Sequence, residues 1–115
     1  HEGKPVGKTS HGDGENFRDF VYVSDTVNSI ISTWKDNKKG DEIDVTTEKC
    51  FSIGQIVKLI CVLMRYYAEI EYLPKRTSDT FCIHGKNTSL IKPKVSIEEG
   101  LKRTIKWWKK QNFTL

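Results

Sequence analysis

Arg18 stands where the sequence is best suited to phosphate chemistry. It follows a glycine turn at residues 12–14 and lies near the start of an aromatic and β-branched stretch. An arginine held beside a buried strand can present two parallel N–H groups to phosphate oxygens. The same residues also allow a structural role, in which Arg18 pairs with Asp13, Asp19 or Asp25. The residues alone favour neither role.

Two other kinds of site are not supported. Residues 3–9 hold a glycine and a Gly-Lys pair, but three residues separate them where a phosphate-binding P-loop has four. The cysteines are odd in number and lack the paired Cys-x-x-Cys units of a zinc site; they are Cys50, Cys61 and Cys82. We therefore expect buried free thiols, no P-loop and no metal site.

Three amphipathic helices would position any such residues. The first is capped by Ser24 or Asp25, and its apolar stripe should face a core. That stripe recurs at helical spacing: Val27, Ile30, Ile31 and Trp34. The second helix follows Ser52 and has the strongest periodic signal in the chain. The third follows Ser96, with Glu99 completing a predicted capping box. Its stripe consists of Ile97, Leu101, Ile105 and Trp108.

Short extended segments alternate with these helices. Residues 17–23, 43–47 and 69–73 are rich in β-branched and aromatic side chains, which predicts strands. Pro74 helps to end the last strand because it cannot donate a backbone hydrogen bond. This alternation predicts a small α/β lobe with two or three short strands and three main helices. A glycine-rich loop at residues 1–16 is expected before it.

The composition is typical of one soluble domain. A chain of 115 residues, 37% hydrophobic and 30% charged, can bury one modest core. No apolar run reaches the roughly 18 to 20 residues that span a bilayer, and residues 1–8 do not resemble a secretory signal. We therefore expect a cytosolic protein without a membrane partner. The net charge of +4 suits an anionic ligand without identifying one.

Several motifs occur together and in a recognisable order. Residues 12–25 read Gly-Asp-Gly-x-x-x-Arg-Asp-Phe-Val-Tyr-Val-x-Asp, and Arg76 and Asp79 form an Arg-x-x-Asp pair. Residues 51–53 read Phe-Ser-Ile before a helix, and residues 93–101 read Pro-Lys-Val-Ser-Ile-Glu-Glu-Gly-Leu. Over nearly the whole chain, this order resembles the carboxy-terminal part of extended short-chain dehydrogenases. The resemblance is to the NAD-dependent nucleotide-sugar epimerase and dehydratase family.

The resemblance implies a single substrate-binding lobe at residues 17–115. Such a lobe would hold the nucleotide diphosphate end of a nucleotide sugar. Arg18 and Arg76 would grip the diphosphate, and Asp79 would contact the nucleotide or act as an orienting carboxylate. Each arginine guanidinium can donate two parallel hydrogen bonds to phosphate oxygens, which a lysine ammonium, acting as a point charge, does not. His84 lies in the same connection, where an exposed loop histidine is the simpler interpretation.

The family's cofactor and catalytic motifs do not occur in this sequence. Binding NAD or NADP needs a Gly-x-x-Gly-x-x-Gly turn at a helix start, and hydride transfer needs a Tyr-x-x-x-Lys pair. We therefore expect no Rossmann domain, no catalytic residue, no bound cofactor and no catalysis by this chain alone. The partner would be a Rossmann-domain chain or an amino-terminal part. Asp44 and Thr46 also stand where the family usually has Asn and Gly.

Two other functions stay open. The third helix carries a basic face beside two tryptophans, as a nucleic-acid-binding module does. That face comprises Lys102, Arg103, Lys106, Lys109 and Lys110. The helix also has a core stripe, and basic residues in its last turns complement the helix dipole, so a solvated face is favoured. The other function is that of a small protein-interaction module.

Overall fold

The computed structural model describes residues 6–8, 14–36, 40, 42–78, 80–82 and 85–111. Three helices and four three-residue strands occur within this part of the chain, which confirms the predicted small α/β class. In chain order they are β1 (Val6–Lys8), β2 (Phe17–Asp19), α1 (Val23–Asp36), β3 (Cys50–Ser52), α2 (Ile53–Met64), β4 (Glu69–Glu71) and α3 (Ile97–Lys110). Among the described residues, no helix has both the length and the apolarity to cross a membrane.

The strands form two small sheets. β1 and β4 pair in parallel, with Val6 opposite Glu69 and Lys8 opposite Glu71, while β2 pairs with β3. β1 lies within residues 1–16, for which composition predicted only a loop. The prediction was wrong for this segment because its pairing partner is far along the chain, where local composition carries no signal.

Contacts divide the chain into two compact units. The first comprises His1–Arg18 and Phe51–Ile83, and the second comprises Asp19–Cys50 and His84–Leu115. α2 and the β1–β4 sheet belong to the first unit, whereas α1 and α3 belong to the second. The predicted extent of the lobe, residues 17–115, stays a prediction.

In the first unit, α2 begins as the sequence predicts. The Ser52 side chain accepts a hydrogen bond from the Gln55 backbone N–H at 3.1 Å, and the Gln55 side chain accepts one from the Ser52 N–H at 2.8 Å. This reciprocal capping box satisfies donors that a helix start otherwise leaves unpaired. The helix ends at Arg65, whose backbone is left-handed and whose N–H reaches the carbonyls of Cys61 and Val62. The apolar periodicity of the sequence extends to Tyr67, which therefore lies beyond the helix.

In the second unit, residues 43–47 do not form the predicted strand. The Asp44 N–H donates to the Thr88 hydroxyl at 2.8 Å, and the Thr46 N–H donates to the Asn87 side-chain oxygen at 3.1 Å. Because side chains satisfy these donors, the segment needs no strand ladder. The strand in this region, β3, lies a few residues later.

α1 turns its apolar side outward, against the prediction. Its buried residues are polar: Asp25 is 6% exposed and Ser29 is 1% exposed. The predicted stripe, together with Val23, instead forms an exposed surface, here termed the α1 apolar face: Val23, Val27, Ile30, Ile31 and Trp34. Ile30 is 62% exposed and Trp34 is 78% exposed.

α3 packs as predicted, through a half-buried stripe. Its start is capped by Ser96, whose hydroxyl accepts from the Glu99 N–H at 3.2 Å. The predicted capping box also has the Glu99 side chain accept from the Ser96 backbone N–H. The Glu99 carboxylate accepts a hydrogen bond from Arg103 instead. Gly100 lies against Tyr22, so close that a Cβ there would be 3.1 Å from the ring. The Arg103 guanidinium lies 5.6 Å from the centre of the same ring.

Candidate functional site

Arg18 lies on β2 and is half-buried. Its Nη1 donates to the Phe17 carbonyl at 2.7 Å, and this is the hydrogen bond that its guanidinium makes in the part of the chain that the structure describes. A guanidinium carries five N–H donors, and its contacts with the described residues use one of them.

Two of the three carboxylates that could have given Arg18 a structural role are occupied elsewhere. The Asp19 carboxylate accepts from the Thr47 hydroxyl, from the Thr47 N–H at 3.1 Å and from the Glu48 N–H at 2.9 Å. The Asp25 carboxylate accepts from the Val95 N–H at 2.9 Å. These contacts weaken the structural interpretation of Arg18. The third carboxylate, Asp13, lies outside the described residues.

The backbone before Arg18 is held at successive points within the first unit. The Gly54 N–H donates to the Gly14 carbonyl at 2.8 Å, and the Ile53 N–H donates to the Asn16 carbonyl at 3.0 Å. The Phe17 N–H then donates to the Phe81 carbonyl at 2.8 Å. The two phenyl rings meet edge to face, with their centres 5.7 Å apart. Arg18 therefore follows a loop that the start of α2 holds on one side and Phe81 on the other.

Arg76 is exposed and lies between β4 and a turn at residues 77–78. Phe81, five residues later, contacts Phe17 beside Arg18. Five residues span at most about 18 Å, so the connection that carries Arg76 returns to β2 within that length of chain. Asp79 and His84 lie outside the described residues.

Sequence reasoning did not identify Phe81 as a contact of β2, nor Gly54 as a contact of the loop. The glycine turn at Gly14 was visible in the sequence, and its left-handed backbone (φ +79°) explains why glycine stands there. The Phe81 contact had no local signal, because it joins two segments distant in sequence.

The start of α2 does not suit the pyrophosphate of a dinucleotide cofactor. Its first backbone donors are those of Ile53, Gly54 and Gln55, which donate to Asn16, Gly14 and Ser52. A helix start binds phosphate through such N–H groups when they are unpaired. The residues at this helix start therefore do not fit that group.

The predicted properties of the cysteines are partly wrong. None of the three forms a disulfide; Cys50 and Cys61 are half-buried, whereas Cys82 is exposed. Within the described ranges, no group of three or more His, Cys, Asp and Glu side chains could hold a metal ion.

The basic face of α3 is partly neutralised along the helix. Lys102 pairs with Glu98, and Arg103 pairs with Glu99, each at 2.8 Å and one turn apart. The hydrogen bond from Lys102 lowers the pKa of Glu98 and raises that of Lys102, with their charge attraction acting in the same direction. These pairs are typical of a solvated helix surface.

Comparison with known proteins relates the whole chain to nucleotide-sugar enzymes. No protein-family model matches it. It is 35% identical to a UDP-glucuronate 4-epimerase of Thermodesulfobacterium geofontis, over 100% of this chain and 36% of that protein. It is 28% identical to human dTDP-D-glucose 4,6-dehydratase, over 90% of this chain and 32% of that protein.

A solved structure agrees with these relatives. The UDP-glucose 4-epimerase of Thermotoga maritima, crystallised with UDP-glucose, is 32% identical and superposes with a TM-score of 0.79. The match covers 94% of this chain and 35% of that one. The chain thus spans about a third of the length of the relatives it matches. It belongs to the NAD-dependent extended short-chain dehydrogenase family of nucleotide-sugar epimerases and dehydratases, and corresponds to the carboxy-terminal part.

Proposed function

We propose that this chain binds the nucleotide diphosphate end of a nucleotide sugar, as the substrate-binding part of an epimerase or dehydratase. Arg18 and Arg76 bind the diphosphate oxygens. Asp79, three residues after Arg76, contacts the nucleotide or orients a neighbouring group. The contact between Phe17 and Phe81 carries this proposal, since it joins the strand of Arg18 to the connection that holds Arg76.

The electrostatics of Arg18 support this role. Arg18 is half-buried, and a charge on a partly buried residue interacts more strongly with a ligand than it would in open solvent. Among the described residues it makes one hydrogen bond, to a carbonyl, and Asp19 and Asp25 hold backbone donors instead. The Thermotoga maritima relative was solved with UDP-glucose, which is a ligand of the proposed class.

The chain does not catalyse the reaction alone in this proposal. It has no Tyr-x-x-x-Lys pair for proton exchange with a sugar hydroxyl, and the start of α2 offers no unpaired donors to a dinucleotide. NAD or NADP, which a complete family member uses for hydride transfer, is held by residues outside this chain.

A cytosolic location also stays a prediction.

The α1 apolar face is proposed to pack against that cofactor-binding part. It sets five large apolar side chains on one side of a helix, where water contacts them in this chain. Contiguous exposed apolar surface of this kind marks an interaction site. The length of the relatives, about three times that of the matched region, provides room for such a part.

A binding assay tests this packing with the amino-terminal two thirds of the Thermodesulfobacterium geofontis relative. We expect the unaltered chain to bind that fragment and Ile30→Lys with Trp34→Lys to abolish binding. Lys58→Glu on α2 is the control and should bind normally. Equal binding by all three chains would exclude the α1 apolar face as the interface.

Calorimetric titration with UDP, dTDP and GDP tests the diphosphate site. Arg76→Ala and Arg18→Ala should each weaken binding of the preferred nucleotide by roughly 1.5 to 3 kcal/mol, the range for a hydrogen bond to a charged group. Lys110→Ala, at the end of α3, is the matched removal of a positive charge and should leave affinity unchanged. If both arginine variants bound the nucleotide as tightly as the unaltered chain, the assignment would be refuted.

A generic DNA duplex in the same assay tests the nucleic-acid function. The ion pairs of Lys102 and Arg103 argue against that function. DNA binding that falls steeply with salt, without nucleotide binding, would favour it over the proposal.

A further inference from the structure

The loop before Arg18 meets the start of α2 through two glycines. Gly14 is buried and left-handed, and a Cβ on it would lie 3.4 Å from Gly54 and 3.4 Å from the Tyr72 ring. A Cβ on Gly54 would lie 3.3 Å from the Gly14 carbonyl oxygen. The two backbones approach closely, since Gly54 has no side chain to meet the Gly14 carbonyl oxygen and Gly14 adopts a left-handed backbone that other residues rarely accept. The 2.8 Å hydrogen bond from the Gly54 N–H to the Gly14 carbonyl depends on that approach.

Arg18 lies four residues beyond Gly14, and the backbone between them is fixed at Asn16 and Phe17. This segment has no helix or strand ladder of its own before β2 begins. Its course is therefore set by its hydrogen bonds to α2 and to Phe81. A shift at Gly14 would be transmitted along this short, constrained backbone to Arg18.

We infer that Gly14 and Gly54 are positioning residues for Arg18, which fix where its guanidinium meets the nucleotide diphosphate. This inference rests on the proposed function and deepens it by naming residues that act without touching the ligand. A bidentate arginine is sensitive to such positioning, since both of its N–H groups must align with phosphate oxygens. Tyr72 supports the arrangement by packing beside Gly14.

The test is a double-mutant cycle measured by calorimetric titration with UDP. Gly14→Ala places a side chain on a left-handed backbone and against Gly54, so we expect UDP affinity to fall about threefold or more. Arg18→Ala should weaken UDP binding by itself. In the Arg18→Ala background, Gly14→Ala should have little further effect, because the group that Gly14 positions is gone.

Gly40 provides a matched control. It is also left-handed (φ +83°), but a Cβ there would meet none of the described residues within 4 Å. Gly40→Ala therefore carries the same kind of backbone strain without disturbing the loop, and its affinity for UDP should equal that of the unaltered chain. Far-UV circular dichroism identifies any variant that fails to fold. If Gly14→Ala does so, Gly54→Ala takes its place in the cycle, because its backbone conformation is ordinary.

The outcomes separate this inference from the proposed function. If Arg18→Ala binds UDP as tightly as the unaltered chain, or if the unaltered chain binds no nucleotide, the proposed function fails and the inference falls with it. If Arg18→Ala weakens binding while folded glycine variants retain full affinity, only the inference is overturned. It is also overturned if the loss caused by Gly14→Ala persists undiminished in the Arg18→Ala background.

Discussion

α1 and α3 belong to the same unit and have the same length, yet their apolar sides differ in what they contact. The stripe of α3, which includes Leu101 and Ile105, is half-buried. α1 buries Asp25 and Ser29 instead, and its apolar face is exposed. Both stripes have the spacing of an amphipathic helix. Periodicity therefore identifies the apolar side of a helix without identifying what covers it.

The comparison predicts unequal costs for matched truncations. Leu101→Ala in α3 removes packed methyl groups and should lower the free energy of unfolding by about 2 kcal/mol. Ile30→Ala in α1 removes side-chain atoms that water already contacts, and should change it by less than about 0.5 kcal/mol. Urea unfolding of both variants measures the difference. Equal costs would show that α1 packs on a core of this chain after all.

The buried polar side of α1 gives a second test. Asp25→Ala leaves the Val95 N–H without its acceptor and should cost about 1 to 2 kcal/mol of unfolding free energy. Asp25→Asn keeps a side-chain oxygen in place, so it should retain part of that stability. Thermal unfolding of the two variants provides the measurement. An Asp25→Ala variant as stable as the unaltered chain would contradict the inward orientation of this side.

Self-association sharpens the same comparison. The α1 apolar face is exposed in the single chain, so we expect concentration-dependent association in sedimentation velocity experiments. Trp34→Lys should reduce that association. Trp107→Lys provides the matched control on α3, where the substituted tryptophan stands beside a basic surface. If both substitutions reduced self-association equally, the exposed apolar side of α1 would not differ from α3 in driving it.

The smallest expected effect concerns the exposed ion pair between Glu98 and Lys102 on α3. The pKa of Glu98 is lowered by Lys102, so its contribution to stability is present above the ordinary glutamate pKa and is lost as pH falls through the lowered value. The pKa of Lys102 is raised, so its contribution is lost only at alkaline pH. Glu98→Gln should slightly flatten the acid side of the stability profile. A large change would show that the pair is more than a surface contact.

Local signals predicted the starts of α2 and α3, whereas α1 begins at Val23, ahead of both predicted caps, Ser24 and Asp25. Ser52 with Gln55 and Ser96 with Glu99 mark helix starts because capping is decided by residues three positions apart. The fold class and the family were also predictable, since the ordered motifs extend over nearly the whole chain. Such features depend on neighbours in sequence, so one sequence suffices to find them.

Features that depend on distant segments were not predictable. β1 pairs with β4, whose residues lie 63 positions later in the chain, and residues 43–47 form no strand because side chains at residues 87–88 bind their backbone N–H groups. Within the candidate site, the motif that contains Arg18 is visible in the sequence and its binding role stays a prediction, whereas the contact between Phe17 and Phe81 had no signal in the sequence. The orientation of α1 belongs to the same class, because it depends on what packs against the helix.

The most direct test of the central claim is an equilibrium titration of the unaltered chain with UDP, UMP and uridine. If the chain grips a diphosphate, UDP should bind at least about tenfold more tightly than UMP, a difference of about 1.4 kcal/mol, and uridine should bind most weakly. Equal affinity for all three would contradict the account, because the phosphates would then contribute nothing.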